Sequence, residues 1–157
     1  MLSSSKTFIG YPCAHRRWAH KGHCALVHGY SRSFKVWFGA ERLEADVGFV
    51  MDFGGLKPIK AWLEDKFDHT LLLDEADPLL PKFRELEELG ACKLTVLPDV
   101  GMEGTAQYVF DYIDQWVKSE TGGRVFVISV ECRENEKNSA VYQAPERFNP
   151  SYPNGVP

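Results

Sequence analysis

The stretch Cys24-Ala25-Leu26-Val27-His28-Gly29-Tyr30 brings a thiol, an imidazole and a phenol together over a short length of chain. If its second half is a strand, the side chains of His28 and Tyr30 point to the same face, because side chains alternate with a period of two. His15 lies upstream in a short, extended-looking run. Pairing of the two strands would place imidazoles together beside a cysteine. Proteins hold a metal next to a nucleophile or an acid–base group in this way.

Outward from this stretch, the pattern of apolar residues predicts further strands. Alternation is clearest at Phe34, Val36 and Phe38, just beyond the quoted residues. The predicted strands span residues 6–12, 26–38, 47–53 and 124–131, and a short apolar run at 93–97 is compatible with an extra edge strand. We expect the second and third of these strands to form an antiparallel hairpin.

Three segments have the periodicity of amphipathic helices. The first follows Pro58, the second covers residues 80–89 and the third covers residues 103–118. The apolar stripe of the first consists of Ile59, Trp62, Leu63 and Phe67. This order of elements predicts an α+β fold in which an antiparallel four-stranded sheet carries helices on one face.

The length and composition are those of one globular domain with a real hydrophobic core. The chain has 157 residues, 44% of them hydrophobic, and a formal net charge of −4. We predict a single domain over residues 1–142, followed at 143–157 by a loose tail that is rich in proline. The charge gives no reason to expect nucleic acid as a partner.

The sequence also favours a cytoplasmic protein without a membrane partner. No apolar run approaches the ~18 residues of a membrane span, and the first residues lack the apolar core of a signal peptide. The four cysteines are irregularly spaced and include no Cys-x-x-Cys pair, so we interpret them as reduced thiols.

Histidines and two acidic positions are the other candidates for chemistry. Four of the five histidines lie between residues 15 and 28, and the fifth is His69, directly after Asp68. A carboxylate beside an imidazole can orient it for proton transfer, although capping of the preceding helix explains the pair equally well. Glu131 interrupts an apolar strand, which indicates either a solvated face or recognition of a ligand.

These motifs, taken in order, resemble the 6-pyruvoyltetrahydropterin synthase family. The matching positions are His15, Cys24-x-x-x-His28-Gly29, residues 48–57, Phe67-Asp68-His69, Glu103 and Val130-Glu131. The three-residue gap between cysteine and histidine resembles the 6-carboxytetrahydropterin synthase branch, which feeds the synthesis of 7-deazaguanines such as queuosine. The resemblance covers roughly residues 7–135.

The resemblance implies a tunnelling fold, a catalytic zinc and a homo-oligomer, commonly a hexamer, with active sites between subunits. By position, His15 and His28 would be zinc ligands and Cys24 the acid–base thiol, with Asp68 and His69 as its partner pair. Glu131 would hold the pterin's amino and ring N–H groups, and Glu103 matches a second motif that contacts the pterin. The substrate would be 7,8-dihydroneopterin triphosphate, converted to 6-carboxytetrahydropterin, acetaldehyde and triphosphate.

The sequence departs from the family at one expected zinc ligand. The family has His-Gly-His where this chain has His28-Gly29-Tyr30, and a phenol, with an ordinary pKa near ~10, is an uncommon zinc ligand. The candidates for the third ligand are Tyr30, His23, His20 and Cys13. Three other functions remain open: a pyruvoyl-type synthase, an activity like dihydroneopterin aldolase, and a pterin-binding subunit without catalysis.

Overall fold

The structure, a computed structural model, describes residues 1–145 and contains a six-stranded sheet and three α-helices. The strands are β1 (Leu2–His15), β2 (His28–Ala40), β3 (Thr70–Asp74), β4 (Leu94–Leu97), β5 (Val125–Arg133) and β6 (Ser139–Gln143). The helices are α1 (Lys57–Phe67), α2 (Leu80–Glu88) and α3 (Met102–Glu120). Of the tail predicted at 143–157, Gln143 ends β6, and the part from residue 146 onward lies outside the described residues.

A long antiparallel pair of β1 and β2 forms the centre of the sheet. The pairing runs from Leu2 opposite Ala40 to His15 opposite His28, so the loop 16–27 joins the strands at the histidine end. One irregularity interrupts the register, between Phe8 and Tyr11. Gly10 lies there with a φ of 87°, a conformation that glycine adopts without the steric cost of a side chain.

The predicted α+β class is confirmed, but the four-stranded antiparallel sheet is corrected to a mixed sheet in the order β4-β3-β1-β2-β5-β6. The strand β3 pairs in parallel with both β1 and β4. Residues 70–73 are all buried, and a parallel strand that is covered on both faces shows no alternation in its sequence. The extra edge strand at 93–97 exists as β4.

The strand predicted at 47–53 is wrong, and with it the hairpin that was to join it to residues 26–38. Glu44 donates its N–H to the carbonyl of Phe49, which closes a turn, and Gly48 has a φ of 71°. Arg124 then ties the turn to the sheet, since its guanidinium donates to the carbonyls of Phe49 and Val50. β2 pairs instead with β1 and β5.

One face of the sheet carries the main hydrophobic core. One buried cluster contains side chains from α1 and α3 together with four residues of β2, namely Phe34, Val36, Phe38 and Ala40. The helix residues in that cluster are Ile59, Leu63, Phe67, Ala106, Val109, Phe110, Ile113 and Val117. Both helices therefore lie on this face, which we call the helix face of the sheet. Within residues 1–145, no helix is long and apolar enough to cross a membrane.

Candidate functional site

The strand register brings His15, His28 and Tyr30 together at one end of the β1–β2 pair. The rings of His15 and His28 lie with their centroids 4.4 Å apart. The ring of Tyr30 lies 6.1 Å from that of His15 and 5.6 Å from that of His28. Because all three residues share the face of Phe34, they form one cluster on the helix face, beside the loop 16–27.

The two imidazoles have the properties of metal ligands. The Nδ1 of His28 lies 2.7 Å from the carbonyl oxygen of Leu26, so it donates its proton there, and Nε2 is the nitrogen with which this ring can bind a metal. Burial, followed by the charge of Arg32, lowers the pKa of His15 to about 3. The buried Nδ1 of His15 has no hydrogen-bond partner. The ring of His15 is therefore neutral at physiological pH, which is the form of an imidazole that binds a metal.

Arg32 and Glu134 lie behind this cluster, and the sequence analysis missed both. The fully buried guanidinium of Arg32 donates from Nη1 to Oγ1 of Thr105 at 2.7 Å and from Nη2 to the carbonyl of Val100 at 2.9 Å. Oε1 of Glu134 lies 3.9 Å from Nη2 of Arg32 and 3.4 Å from Nε2 of His15. The available signal was a charged residue on the apolar face of β2. Its partners, however, are distant in sequence.

We predict that Thr105→Val destabilises the protein by about 1–3 kcal/mol. The change removes the acceptor of a buried, charged N–H donor without altering the shape of the side chain, and such a donor is costly to leave unpaired. Urea unfolding followed by circular dichroism measures the effect. Thr7→Val is the matched control, since Thr7 is an exposed β1 residue whose hydroxyl makes no hydrogen bond in the described part of the chain. Equal stability of the two variants would contradict the role given to Thr105.

The loop 16–27 holds Cys24 at the same end of the hairpin. Cys24 lies in a single 3-10 turn, His23–Ala25, and its carbonyl accepts the N–H of Arg17 at 2.8 Å. Its thiol is half-buried. His23 is exposed, and the exposed His20 uses its Nδ1 to accept the N–H of Gly22 at 2.9 Å.

The donors near His15 and His28 fit a metal only in part. Two imidazoles whose ring centroids lie 4.4 Å apart form an incomplete site. Within residues 1–145, no three side chains of His, Cys, Asp or Glu are grouped so that they hold a metal as they stand. Neither His20, His23 nor Cys13 therefore completes the pair in this arrangement, and burial raises the pKa of the Cys13 thiol. Of the four candidates, Tyr30 has a ring contact with both histidines.

Asp68 and His69 form a hydrogen-bonded pair directly after α1. Oδ1 of Asp68 lies 2.7 Å from Nδ1 of His69. His69 has a φ of 55°, uncommon for a residue with a side chain, and its backbone N–H donates to the carbonyl of Pro12 at 2.7 Å. The imidazole is 82% exposed and, with Tyr30, borders a shallow depression of about 470 Å³. The pair is thus fixed to β1 at its backbone and open to solvent at its ring.

The two glutamates predicted to contact a substrate lie apart from these groups. Glu131 lies between Val130 and Cys132, both of which point into the core, so its side chain points to the opposite face of the sheet. Glu131 is 7% exposed, and its Oε1 accepts a hydrogen bond from Nη2 of Arg133 at 2.9 Å. Glu103 is exposed in the first turn of α3.

The chain therefore divides the predicted site residues between two faces. His15 and His28 lie together on the helix face with Tyr30, while Glu131 points to the other face. Asp68 and His69 meet each other, but within residues 1–145 no hydrogen bond or ion pair joins them to Cys24. A reaction that uses all these side chains requires that the two opposite faces of the sheet contribute to one site.

Comparison with known sequences finds one family and several named relatives. The profile of the family described as 6-pyruvoyl tetrahydropterin synthase matches residues 5–145. A 6-carboxy-5,6,7,8-tetrahydropterin synthase of Aquifex aeolicus is 28% identical over 124 residues, 76% of this chain and 75% of that protein. The protein of the same name from Rickettsia bellii is 31% identical over 70 residues, 44% of this chain. The aligned part spans only 50% of that relative's length.

Comparison with solved structures finds the same architecture at low identity. An uncharacterized protein of Wolinella succinogenes superposes with a TM-score of 0.76 at 22% identity, over 90% of this chain and 97% of that one. The 6-pyruvoyl tetrahydropterin synthase of Plasmodium vivax superposes with a TM-score of 0.63 at 16% identity, over 92% of this chain and 99% of that one. At these identities, the likeness concerns the fold.

Proposed function

The chain belongs to the 6-pyruvoyl tetrahydropterin synthase family and has its tunnelling fold, and from this premise we propose that it is a zinc-dependent 6-carboxytetrahydropterin synthase. It then converts 7,8-dihydroneopterin triphosphate and one water molecule to 6-carboxytetrahydropterin, acetaldehyde and triphosphate. The reaction serves 7-deazaguanine synthesis in the cytoplasm. Relatives named for this activity, and the cysteine–histidine spacing of residues 24 and 28, support the proposal.

The observation that carries the proposal is the pair of imidazoles of His15 and His28 beside the loop of Cys24. His15 is buried and lies 4.4 Å, ring to ring, from His28, whose Nδ1 proton is held by a carbonyl. When bound there, zinc would act as a Lewis acid that acidifies neighbouring C–H groups of the substrate side chain. The part of the chain that the structure describes offers His15 and His28 as the first two ligands.

The proton-transfer groups are Cys24 and the pair of Asp68 and His69. Cys24 removes or returns a proton at a carbon of the substrate side chain, since its thiol is half-buried in the loop that joins the strands of His15 and His28. Asp68 orients the imidazole of His69 through the 2.7 Å contact at Nδ1. This leaves Nε2 of an exposed ring free to exchange protons with the thiol or the substrate.

The pterin ring is held by glutamates. The carboxylate of Glu131 has two oxygens that can accept the amino and ring N–H groups of a pterin in a bidentate manner. Arg133, 2.9 Å from Oε1, fixes the position of that carboxylate. Glu103, exposed at the start of α3, is the second contact.

The division of these residues between two faces supports a homo-oligomer whose sites lie between subunits. The side chain of Glu131 points away from the helix face, where His15 and His28 lie. One substrate can touch both sets only if two copies of the chain contribute, one with each face. We therefore place Cys24 and Glu131 of one site on different copies, in a hexamer or another closed assembly.

A complementation experiment tests this arrangement. At substrate concentrations below the wild-type KM, Cys24→Ala and Glu131→Ala are each expected to have at most about 1% of wild-type turnover, whereas co-refolding them in equal amounts should restore roughly one quarter of it. A quarter of the sites then pair an intact Cys24 with an intact Glu131. A mixture that stays inactive, although it co-assembles, would place both residues in one copy.

One observation favours a second function, a pterin-binding subunit without catalysis. Tyr30 stands in place of a histidine ligand, and no complete group of three metal-binding donors is present in residues 1–145 as the side chains stand. Elemental analysis of the purified protein, paired with a turnover assay on dihydroneopterin triphosphate, separates the two functions. We expect about one zinc per chain and turnover. No zinc and no turnover, even after zinc is supplied, would support the binding subunit.

A further inference from the structure

We propose that Arg17 and Asp99 are positioning residues, whose ion pair holds Cys24 in place for proton transfer. They act on the reaction only through the position of the loop 16–27, in which Cys24 lies. This inference rests on the proposed function in so far as Cys24 has a chemical role there. Neither Arg17 nor Asp99 belongs to the motifs that the sequence analysis singled out.

The first argument is a backbone contact between Arg17 and Cys24. The N–H of Arg17 donates to the carbonyl of Cys24 at 2.8 Å, just beyond the last residues that pair between β1 and β2, His15 and His28. This hydrogen bond closes residues 18–23 into a small loop. The backbone of Cys24 is therefore held directly by the backbone of Arg17.

The second argument is the place where the side chain of Arg17 ends. Its Nη1 pairs with Oδ1 of Asp99, which lies between β4 and α3. The same oxygen of Asp99 accepts the N–H of Gly101 at 2.7 Å, the pattern of an Asx turn. Arg17 thus joins the loop of Cys24, through its backbone, to the start of α3, through its guanidinium.

The third argument is the space that two glycines leave for this ion pair. Gly104 lies within α3, where glycine is a poor helix former, and a Cβ there would collide with the side chain of Asp99. A Cβ on Gly101 would lie 3.1 Å from Oδ1 of Asp99 and 3.2 Å from Nη1 of Arg17. The start of α3 is therefore shaped around the ion pair.

The fourth argument is that the start of α3 also holds the strand of His28. The guanidinium of Arg32, on β2, donates to Oγ1 of Thr105 and to the carbonyl of Val100. The segment 99–105 is thus tied to β2 by one arginine and to the loop of Cys24 by another. One segment therefore sets the position of the thiol relative to the histidine pair.

The test compares the reactivity of two thiols in the same molecule. Asp99→Asn keeps an acceptor for the N–H of Gly101 but removes the charge that pairs with Arg17. The purified protein is treated with iodoacetamide, and alkylation of Cys24 and Cys92 is followed by mass spectrometry of their peptides. We expect Cys24 to react at least about threefold faster than in the wild type, because the loop opens locally more often. Cys92, which is also half-buried, should react at the wild-type rate.

Kinetics separates a positioning role from general damage. We expect kcat of Asp99→Asn to fall at least about fivefold, since a small misplacement of a reacting group is costly, while the dissociation constant of a non-reactive pterin stays within about twofold. Arg17→Gln should reproduce both results. The double variant should be no worse than either single variant, because both changes remove the same contact.

Asp65→Asn is the matched control. It breaks another exposed ion pair, between Asp65 and Lys93, and should match the wild type in alkylation and kinetics. The pair of Arg17 and Asp99 is itself 44% and 47% exposed, and such pairs add little to global stability. Urea unfolding of Asp99→Asn should therefore give nearly the wild-type midpoint.

Circular dichroism checks the folding of each variant, and if either Arg17→Gln or Asp99→Asn does not fold, the other decides. Alkylation of Cys24 at the wild-type rate in the variant that folds would overturn the proposal. A double variant whose loss of kcat is the product of the two single losses would overturn it as well, since the two residues would then act separately.

The failure of this inference and that of the proposed function are distinguishable. A wild-type protein that does not turn over dihydroneopterin triphosphate contradicts the reaction, whereas the alkylation of Cys24 relative to Cys92 still decides whether the ion pair holds the loop. Normal turnover by the wild type, together with an unchanged kcat in Asp99→Asn, overturns the positioning role alone.

Discussion

Replacing Cys24 by alanine is expected to lower kcat by at least about 10³-fold, while the fold, the assembly and the metal content stay as in the wild type. General acid–base groups contribute about 10²–10⁴-fold to rates, and Cys24 is the thiol to which the proposed function gives this role. Cys24 is half-buried in the loop beside His15 and His28, whereas Cys13 and Cys132 are buried in the core. Steady-state kinetics with dihydroneopterin triphosphate measures the loss.

Cys92→Ala is the matched control for this prediction. Cys92 is also half-buried, but its thiol lies near the carbonyl of Phe83, between α2 and β4, far from the histidine pair in the sheet order. We expect its kcat to remain within twofold of the wild type. Turnover by Cys24→Ala at the wild-type rate would remove the thiol from the mechanism.

Replacing Glu131 by alanine is expected to weaken pterin binding by roughly 10²-fold or more. A hydrogen bond to a charged group contributes about 1.5–3 kcal/mol, and the carboxylate is proposed to accept two of them. The change leaves Arg133 without its partner at 2.9 Å, but that arginine is 46% exposed and is hydrated instead. Fluorescence titration with a non-reactive pterin measures the dissociation constant.

Two controls separate recognition from general damage. Glu131→Gln keeps the volume of the side chain but replaces one acceptor oxygen with a donor, so it should lose most of the same affinity. Glu120→Ala removes an exposed glutamate at the end of α3 and should bind like the wild type. If Glu131→Ala binds the pterin normally, Glu131 is not its anchor and the strand residue serves Arg133 alone.

The local pattern of apolar residues was enough to predict β1, β2, α1 and α3. Alternation at Phe34, Val36 and Phe38 placed β2, and apolar spacing after Pro58 placed α1, because each reflects burial of one face. The pairing of His15 opposite His28 is a matter of register between strands. The sequence motif suggested that the two strands pair, but only the structure shows which residues lie opposite each other.

The errors in predicting the fold from the sequence also have local causes. Residues 70–73 show no alternation of apolar and polar side chains, because this strand is buried on both of its faces. It was therefore not predicted as a strand. Residues 47–53 look like a strand in composition. The positive φ of Gly48 and the hydrogen bonds that Arg124 gives to Phe49 and Val50 hold them in a turn instead.

The part of the candidate site that sequence reasoning missed depends on distant contacts. Arg32 is conspicuous as a charge on an apolar strand face, yet nothing local indicates that Thr105, Val100 and Glu134 surround it. These partners come from the start of α3 and the end of β5, which only the tertiary fold brings to β2.

Product analysis tests the central claim most directly. The zinc-supplied protein is incubated with 7,8-dihydroneopterin triphosphate, and the pterin products and any released aldehyde are identified by mass spectrometry, with Cys24→Ala run in parallel. The account predicts acetaldehyde and 6-carboxytetrahydropterin in equal amounts from the wild type and neither from the variant. A pyruvoyl-type pterin, a different aldehyde, or unchanged substrate bound to the protein would contradict it.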